Sequence, residues 1–233
     1  MRVTGICEDL RPTIVIPDVH ETTFWERFVS LRRPGDRVVF LGDYFARNGR
    51  GPFAESAIRN FLKICAYARE NPDTHILMGN HDFELTSFSL SPADWEIDFS
   101  ARHLAIMTNL DILEMVYVDG DTIFAHGGVT QSFMDNNGLT YPEEINNLWR
   151  DNPKAFNWLE TDPVSGQKSD FFGDDPWQSP LWTRTLALLD GAEGYNQVVG
   201  HTPVRAPEIM RTIHRDNILL TCTLDDLLIR IGR

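Results

Sequence analysis

The stretch ILMGNHDFEL, from Ile76 to Leu85, places three apolar residues ahead of a glycine, an asparagine, a histidine and an aspartate. An apolar run this compact reads as a buried strand. The polar residues at its end form either a plain turn or a set of side chains that the strand aims at a ligand. The same grammar recurs along the chain. TIVIPD (Thr13–Asp18), RVVFLGD (Arg37–Asp43), DTIFAHGG (Asp121–Gly128) and NQVVGH (Asn196–His201) are also apolar runs that stop at Asp or His, and Gly42, Gly79, Gly127 and Gly200 stand beside four of the five stops. Runs this rich in Val, Ile, Leu and Phe predict strands covered on both faces. In open α/β sheets, ligands bind where such strands end.

Helical patterns fill the gaps. In FAESAIRNFLKICAYARE, Ile58, Phe61, Leu62 and Cys65 are spaced as one core-facing stripe, and TTFWERFVSL repeats the pattern with Phe24, Phe28 and Leu31. Asp119-Gly120 between apolar flanks predicts a hairpin. The closely joined runs NILLTCTL and DLLIRIG predict a second one. The expected architecture is α/β layered, with a mixed, two-sheet arrangement in place of one purely parallel sheet and a site at the strand carboxyl ends. Residues 1–233 are expected to form a single domain. The segment at about 130–180, rich in Asn, Asp, Gly, Pro and Trp with weak periodicity, predicts a loop-rich insertion lying over the site. Trp149, Trp158, Trp177 and Trp182 are expected to pack that insertion onto the body; the alternative is an aromatic platform for a flat substrate group.

The formal charge of −13 repels nucleic acid and anionic membranes at long range, so neither is an expected partner. A phosphate substrate would need local cations, either metals or placed arginines. Cys7, Cys65 and Cys222 lie far apart and read as incidental thiols of a reducing compartment. The N-terminal residues lack the apolar run of a signal peptide, and no stretch approaches the roughly 18 apolar residues of a membrane span. A cytoplasmic protein is the expectation.

Each strand-end residue has a bland reading when taken alone. Asp18-Val19-His20 is a common triplet, Asp43 fits a turn, and His126 fits a core histidine bonded to a carbonyl. Five such ends in order point instead to a metal site. Imidazole and carboxylate together suit Zn, Fe or Mn. Residues two apart on an extended strand share a face, so Asp18 and His20 can grip one ion, and the two oxygens of Asp43 can bridge two ions.

Asp18-x-His20, Gly42-Asp43, Gly79-Asn80-His81-Asp82, His126-Gly127-Gly128 and Gly200-His201-Thr202 together resemble the calcineurin-like metallophosphoesterases. Their order and spacing are similar to the phosphoprotein phosphatase branch, which includes bacteriophage lambda-type protein phosphatase and the symmetrical diadenosine tetraphosphatases. The resemblance runs from about Thr13 to the C-terminus. It implies a sandwich of two mixed β-sheets flanked by helices, and two divalent metal ions, Mn²⁺ first, with Fe, Zn or Ni as alternatives. Asp18 and His20 would hold the first ion, Asp43 would bridge, and Asn80, His126 and His201 would hold the second. It further implies in-line attack on phosphorus by a hydroxide bridging the ions, with His81 as the acid for the leaving oxygen. Arg47 and Arg184 would clamp the phosphate beside Asn80.

The chain departs from that pattern at several positions. Ala46 stands where the family carries the aspartate that pairs with the catalytic histidine. Asn48 replaces a glycine, Asp82 a more usual glutamate, and Pro17 and Glu21 the glycines that flank Asp-x-His. Asp82 and Glu84 are the candidate substitute partners for His81. The expected function is hydrolysis of a phosphomonoester, from a phosphoprotein or a small phosphoester. Two alternatives stand beside it: a dinucleoside polyphosphate or nucleotide phosphohydrolase, and a metal-binding module that Ala46 has left without catalysis.

Overall fold

The computed structural model describes residues 11–45, 54–90, 99–222 and 229–231. Arg47, Ala46, Asn48 and Cys7 lie outside them. Two five-stranded mixed sheets form the frame. The first contains β1 (Thr13–Ile16), β2 (Arg37–Phe40), β3 (Thr74–Leu77), β4 (Leu113–Glu114) and β10 (Ile229–Ile231), in the order β10-β1-β2-β3-β4. The second contains β5 (Val116–Asp119), β6 (Thr122–Ala125), β7 (Asn196–Val199), β8 (Glu208–Arg211) and β9 (Asn217–Leu220), in the order β5-β6-β7-β9-β8. β1, β2, β3 and β4 run parallel, as do β6, β7 and β9.

The apolar runs are continuous because each sheet is covered twice. Ile14, Ile16, Val38, Phe40 and Ile76 belong to the same core cluster as Trp25 and Phe28 of α1 (Phe24–Val29) and Phe61 and Ile64 of α2 (Ala54–Glu70). The intervening Val15, Val39 and Leu77 meet Phe124, Val198 and Leu219 of the other sheet. One alternation therefore serves two layers.

The helical stripes differ from expectation in detail. Ala57, Phe61, Ile64 and Cys65 are buried on α2, whereas Leu62 is 43% exposed. A polar residue takes a core-facing slot that a count of apolar positions passes over. Asn60 accepts a hydrogen bond from Trp25 Nε1 at 2.9 Å and donates one to the Thr22 carbonyl at 2.8 Å. Leu31 is exposed because α1 stops two residues before it.

The Gly120 hairpin forms, with Asp119 opposite Thr122. The second expected hairpin does not. β9 pairs with β7 and β8, while β10 crosses to the other sheet and pairs antiparallel with β1. The true partner, β8, is an edge strand with mostly exposed side chains, so it carries little of the hydrophobic signal that marks a strand.

Residues 130–180 contain the short helices α5 (Gln131–Asn136) and α6 (Glu144–Asp151), with irregular chain after them. Trp149 packs edge-on against Phe83, Phe88 and Phe156, and Trp158 against Trp182. The Trp182 indole N–H donates to the Phe156 carbonyl, and that of Trp177 to Ser169. These tryptophans fasten the segment. The remaining two α-helices among the described residues are α3 (Asn80–Phe83) and α4 (Phe99–Met107). Among the described residues no helix is long and apolar enough to cross a membrane.

Candidate metal centre

The carboxyl ends of β1, β2, β3, β6 and β7 converge. After β1 the chain turns, and Val19, His20 and Glu21 donate their N–H groups to the carbonyls of Gly42, Asp43 and Tyr44 beyond β2. Asp18 and His20 thus meet through a turn and not along an extended strand, since β1 ends at Ile16 and His20 has φ +43°. After β3, Gly79 caps α3, which carries Asn80 and His81. The His201 N–H donates to Asp18 Oδ1 and the His81 N–H to Asp43 Oδ1, both at 3.0 Å, which aims the two carboxylates.

Two donor sets result. Asp43, His126 and His201 place one ligand atom each within 4.8 Å of one another, as do Asp18, His20 and Asp43. Asp43 belongs to both. All but His20 are buried. His126 Nδ1 lies 2.8 Å from the Leu41 carbonyl oxygen and donates to it, so Nε2 turns its lone pair toward Asn80 Oδ1 at 2.9 Å and Asp43 Oδ1 at 3.5 Å. With Nε2 unprotonated, these are three acceptors that face one another, an arrangement that a cation would hold together. Imidazole nitrogen, amide oxygen and carboxylate oxygen are a set that divalent Zn, Fe or Mn accepts. The residues therefore fit a metal site.

The backbone is strained here. Of five described non-glycine residues with positive φ, four are His20, Glu21, Asp43 and His201. Such conformations cost about 1–3 kcal/mol each and concentrate at functional sites. Glycine permits the crowding: a Cβ on Gly79 would lie 2.2 Å from both the nitrogen and the Oδ1 of Asp43, and one on Gly200 would lie 2.3 Å from Asp18 Oδ1. Gly79→Ala is expected to destabilise the fold by about 1–3 kcal/mol through overpacking and to weaken Mn²⁺ binding. Thermal unfolding and metal titration check this, and an unchanged metal affinity would show that Asp43 tolerates displacement.

The electrostatics arise from burial and mutual charge. Burial pushes the Asp43 carboxyl up, but His126, His81, His20 and His201 together outweigh it and hold the group at about 2. Burial, then His126 and Arg184, push His201 well below the usual imidazole range, which keeps a nitrogen lone pair available. Burial lowers His81, but Asp43 and then Glu84 overcome it and raise the ring to about 9. Burial, then Asp43, raises Asp82.

Arg184 lies beside the centre, with Nη1 3.5 Å from the His201 carbonyl oxygen. The Gly127 N–H donates to the Pro180 carbonyl at 2.6 Å, which ties the segment leading to Arg184 to the end of β6. His75, His103 and His214 stay outside the centre: His75 stacks on Tyr117 and bonds Glu114, and His103 bonds the Leu85 carbonyl. Two contacts had no sequence signal strong enough to assign them. Glu84 Oε2 lies 3.4 Å from His81 Nδ1, and Arg102 pairs with Glu21 at 3.1 Å.

Residues 11–217 match the model of the calcineurin-like phosphoesterase family. A search of curated proteins finds no match. Among solved structures, a cold-active protein-tyrosine phosphatase from a psychrophilic Shewanella species superposes with a TM-score of 0.57 at 18% identity, over 94% of this chain and 72% of that one. A protein serine/threonine phosphatase from Saccharomyces cerevisiae gives 0.51 at 11% identity, over 93% and 68%. A putative diadenosine tetraphosphatase gives 0.47 at 18%, over 97% and 87%.

Proposed function

From the premise that the chain belongs to the calcineurin-like phosphoesterase family, we propose that it is a metal-dependent phosphatase that hydrolyses phosphomonoesters, with a phosphoprotein or small phosphoester as substrate. The observation that carries this reading is Asp43, one buried carboxylate shared by two histidine-containing donor sets. Asp18, His20 and Asp43 would hold one divalent ion, and Asp43, Asn80, His126 and His201 a second. Bound there, divalent ions supply Lewis acidity that activates water and takes charge from the phosphoryl oxygens.

The chain's own groups do the rest. Arg184 presents a guanidinium at the rim, where its fork of N–H groups matches two phosphoryl oxygens. Arg47 would add a second clamp by its place in the motif. His81 turns Nε2 toward the centre, 3.9 Å from Asp43 Oδ2, and would give a proton to the leaving oxygen as the P–O bond breaks. Trp149 and Trp182 are occupied in packing, which favours a phosphomonoester over a substrate that needs an aromatic platform.

The test is phosphate release from p-nitrophenyl phosphate by protein stripped of metal and reloaded with Mn²⁺, Zn²⁺ or Fe²⁺. Turnover that returns with metal, above all Mn²⁺, is expected. Protein that binds about two ions and hydrolyses nothing would be a metal-binding module instead. Cleavage of a diadenosine polyphosphate without action on phosphopeptides would reassign the substrate.

A further inference from the structure

Ala46 stands where the family motif carries the aspartate partner of its histidine, so His81 needs its orientation from elsewhere. Two nearby carboxylates are candidates. Asp82 is fully buried, but both its oxygens are committed to backbone: Oδ1 accepts from Tyr44 N–H at 2.9 Å and Phe45 N–H at 3.4 Å, and Oδ2 from Gly79 N–H at 3.0 Å. Those bonds hold the loop after β2 against α3 and leave the imidazole unserved. Glu84, the residue that ends α3, differs. It is buried, and its Oε2 lies 3.4 Å from His81 Nδ1, three residues back along one helical face. Nε2 of the same ring faces the metal centre.

We propose that Glu84 is the positioning residue of His81, a carboxylate supplied from the helix itself in place of the one missing at Ala46. Accepting the Nδ1–H fixes the tautomer and the ring plane, so that Nε2 is the nitrogen offered to the leaving oxygen. The proton on Nε2 passes to that oxygen as it departs with the P–O bonding pair, while the oxygen of water forms the new bond to phosphorus and the proton that water gives up goes to solvent, from which Nε2 is reprotonated. The 3.4 Å separation is long, as hydrogen bonds of catalytic groups are before substrate tightens them. The inference rests on the phosphatase reading above.

Leaving-group dependence tests it. An alkyl phosphate needs its leaving oxygen protonated, whereas p-nitrophenolate departs with little help. Glu84→Gln is expected to lower kcat on an alkyl phosphate by about 10²-fold or more, within the range of general-acid effects, and to change that on p-nitrophenyl phosphate by less than about threefold. KM and bound metal should not change. Glu84→Gln combined with His81→Asn should be no slower than His81→Asn alone, because the two act as a unit. Glu84→Asp, which keeps the charge on a shorter arm, should fall between. Equal losses on both substrates, or additive losses in the double variant, would overturn the assignment. Failure of the unaltered protein to hydrolyse either substrate would instead overturn the phosphatase reading.

Discussion

Asp43→Asn is expected to lower kcat on p-nitrophenyl phosphate by at least about 10³-fold. One electrostatic stabiliser at a reacting centre is worth about 10²–10³-fold on its own, and Asp43 serves both donor sets at once. The substitution keeps the shape and removes the charge. The amide also has one oxygen where the carboxylate has two, so it cannot serve two ions in the same way. On the proposed two-ion reading, metal analysis should show occupancy falling in parallel with the rate. A variant that keeps its full metal content and activity would remove the shared carboxylate from the mechanism. Acid titration gives an independent check on the metal-free protein. The folded carboxyl is held at about 2, below its usual 3.8, so its contribution to stability is present above about 3.8 and is lost as pH falls through about 2. Asp43→Asn should flatten the acid limb of the stability curve in that window.

The first sheet and the centre were legible because one physical cause produced both signals. A strand buried on both faces must be apolar throughout, so a polar residue at its end stands out, and Asp43, Asn80, His126 and His201 all stand out in this way. The family resemblance rested on those same ends. What failed depended on context. The antiparallel partner of β9 is an edge strand with no apolar pattern, and the run at Ile229–Ile231 is as apolar as any hairpin partner although it joins the other sheet. The strand alternation that would set Asp18 beside His20 is replaced by a turn at positive φ, which leaves no periodicity to read. His126 met both of its opposed readings at once. It is a core histidine bonded to a carbonyl through Nδ1, and that bond is what turns Nε2 toward the centre. Between the two candidate carboxylates, the three backbone bonds to Asp82 and the contact of Glu84 with His81 Nδ1 decide.

Glu21 leads to the second large effect. It occupies a position where the resemblance expects glycine, and its φ of +66° is one that glycine adopts without strain. Its side chain is wholly buried and pairs at 3.1 Å with Arg102 of α4, itself 3% exposed, and the guanidinium carbon lies 5.5 Å from the centre of the Phe45 ring. Arg102 therefore joins the loop after β1, which carries His20, to the loop after β2, which carries Asp43. Removing one partner of a buried ion pair costs about 3–5 kcal/mol. At about 2–4 °C per kcal/mol for a chain of this size, Arg102→Ala should lower Tm by roughly 6–20 °C and weaken Mn²⁺ binding. Replacing both partners separates the pair from the backbone strain. Glu21→Gly in the Arg102→Ala background removes the buried carboxylate and the unfavourable φ together, so the double variant should be more stable than Arg102→Ala alone. If Arg102→Ala unfolds within about 1 kcal/mol of the unaltered protein, the pair does not support the centre, and the strain at Glu21 is carried by its backbone bond to the Tyr44 carbonyl instead.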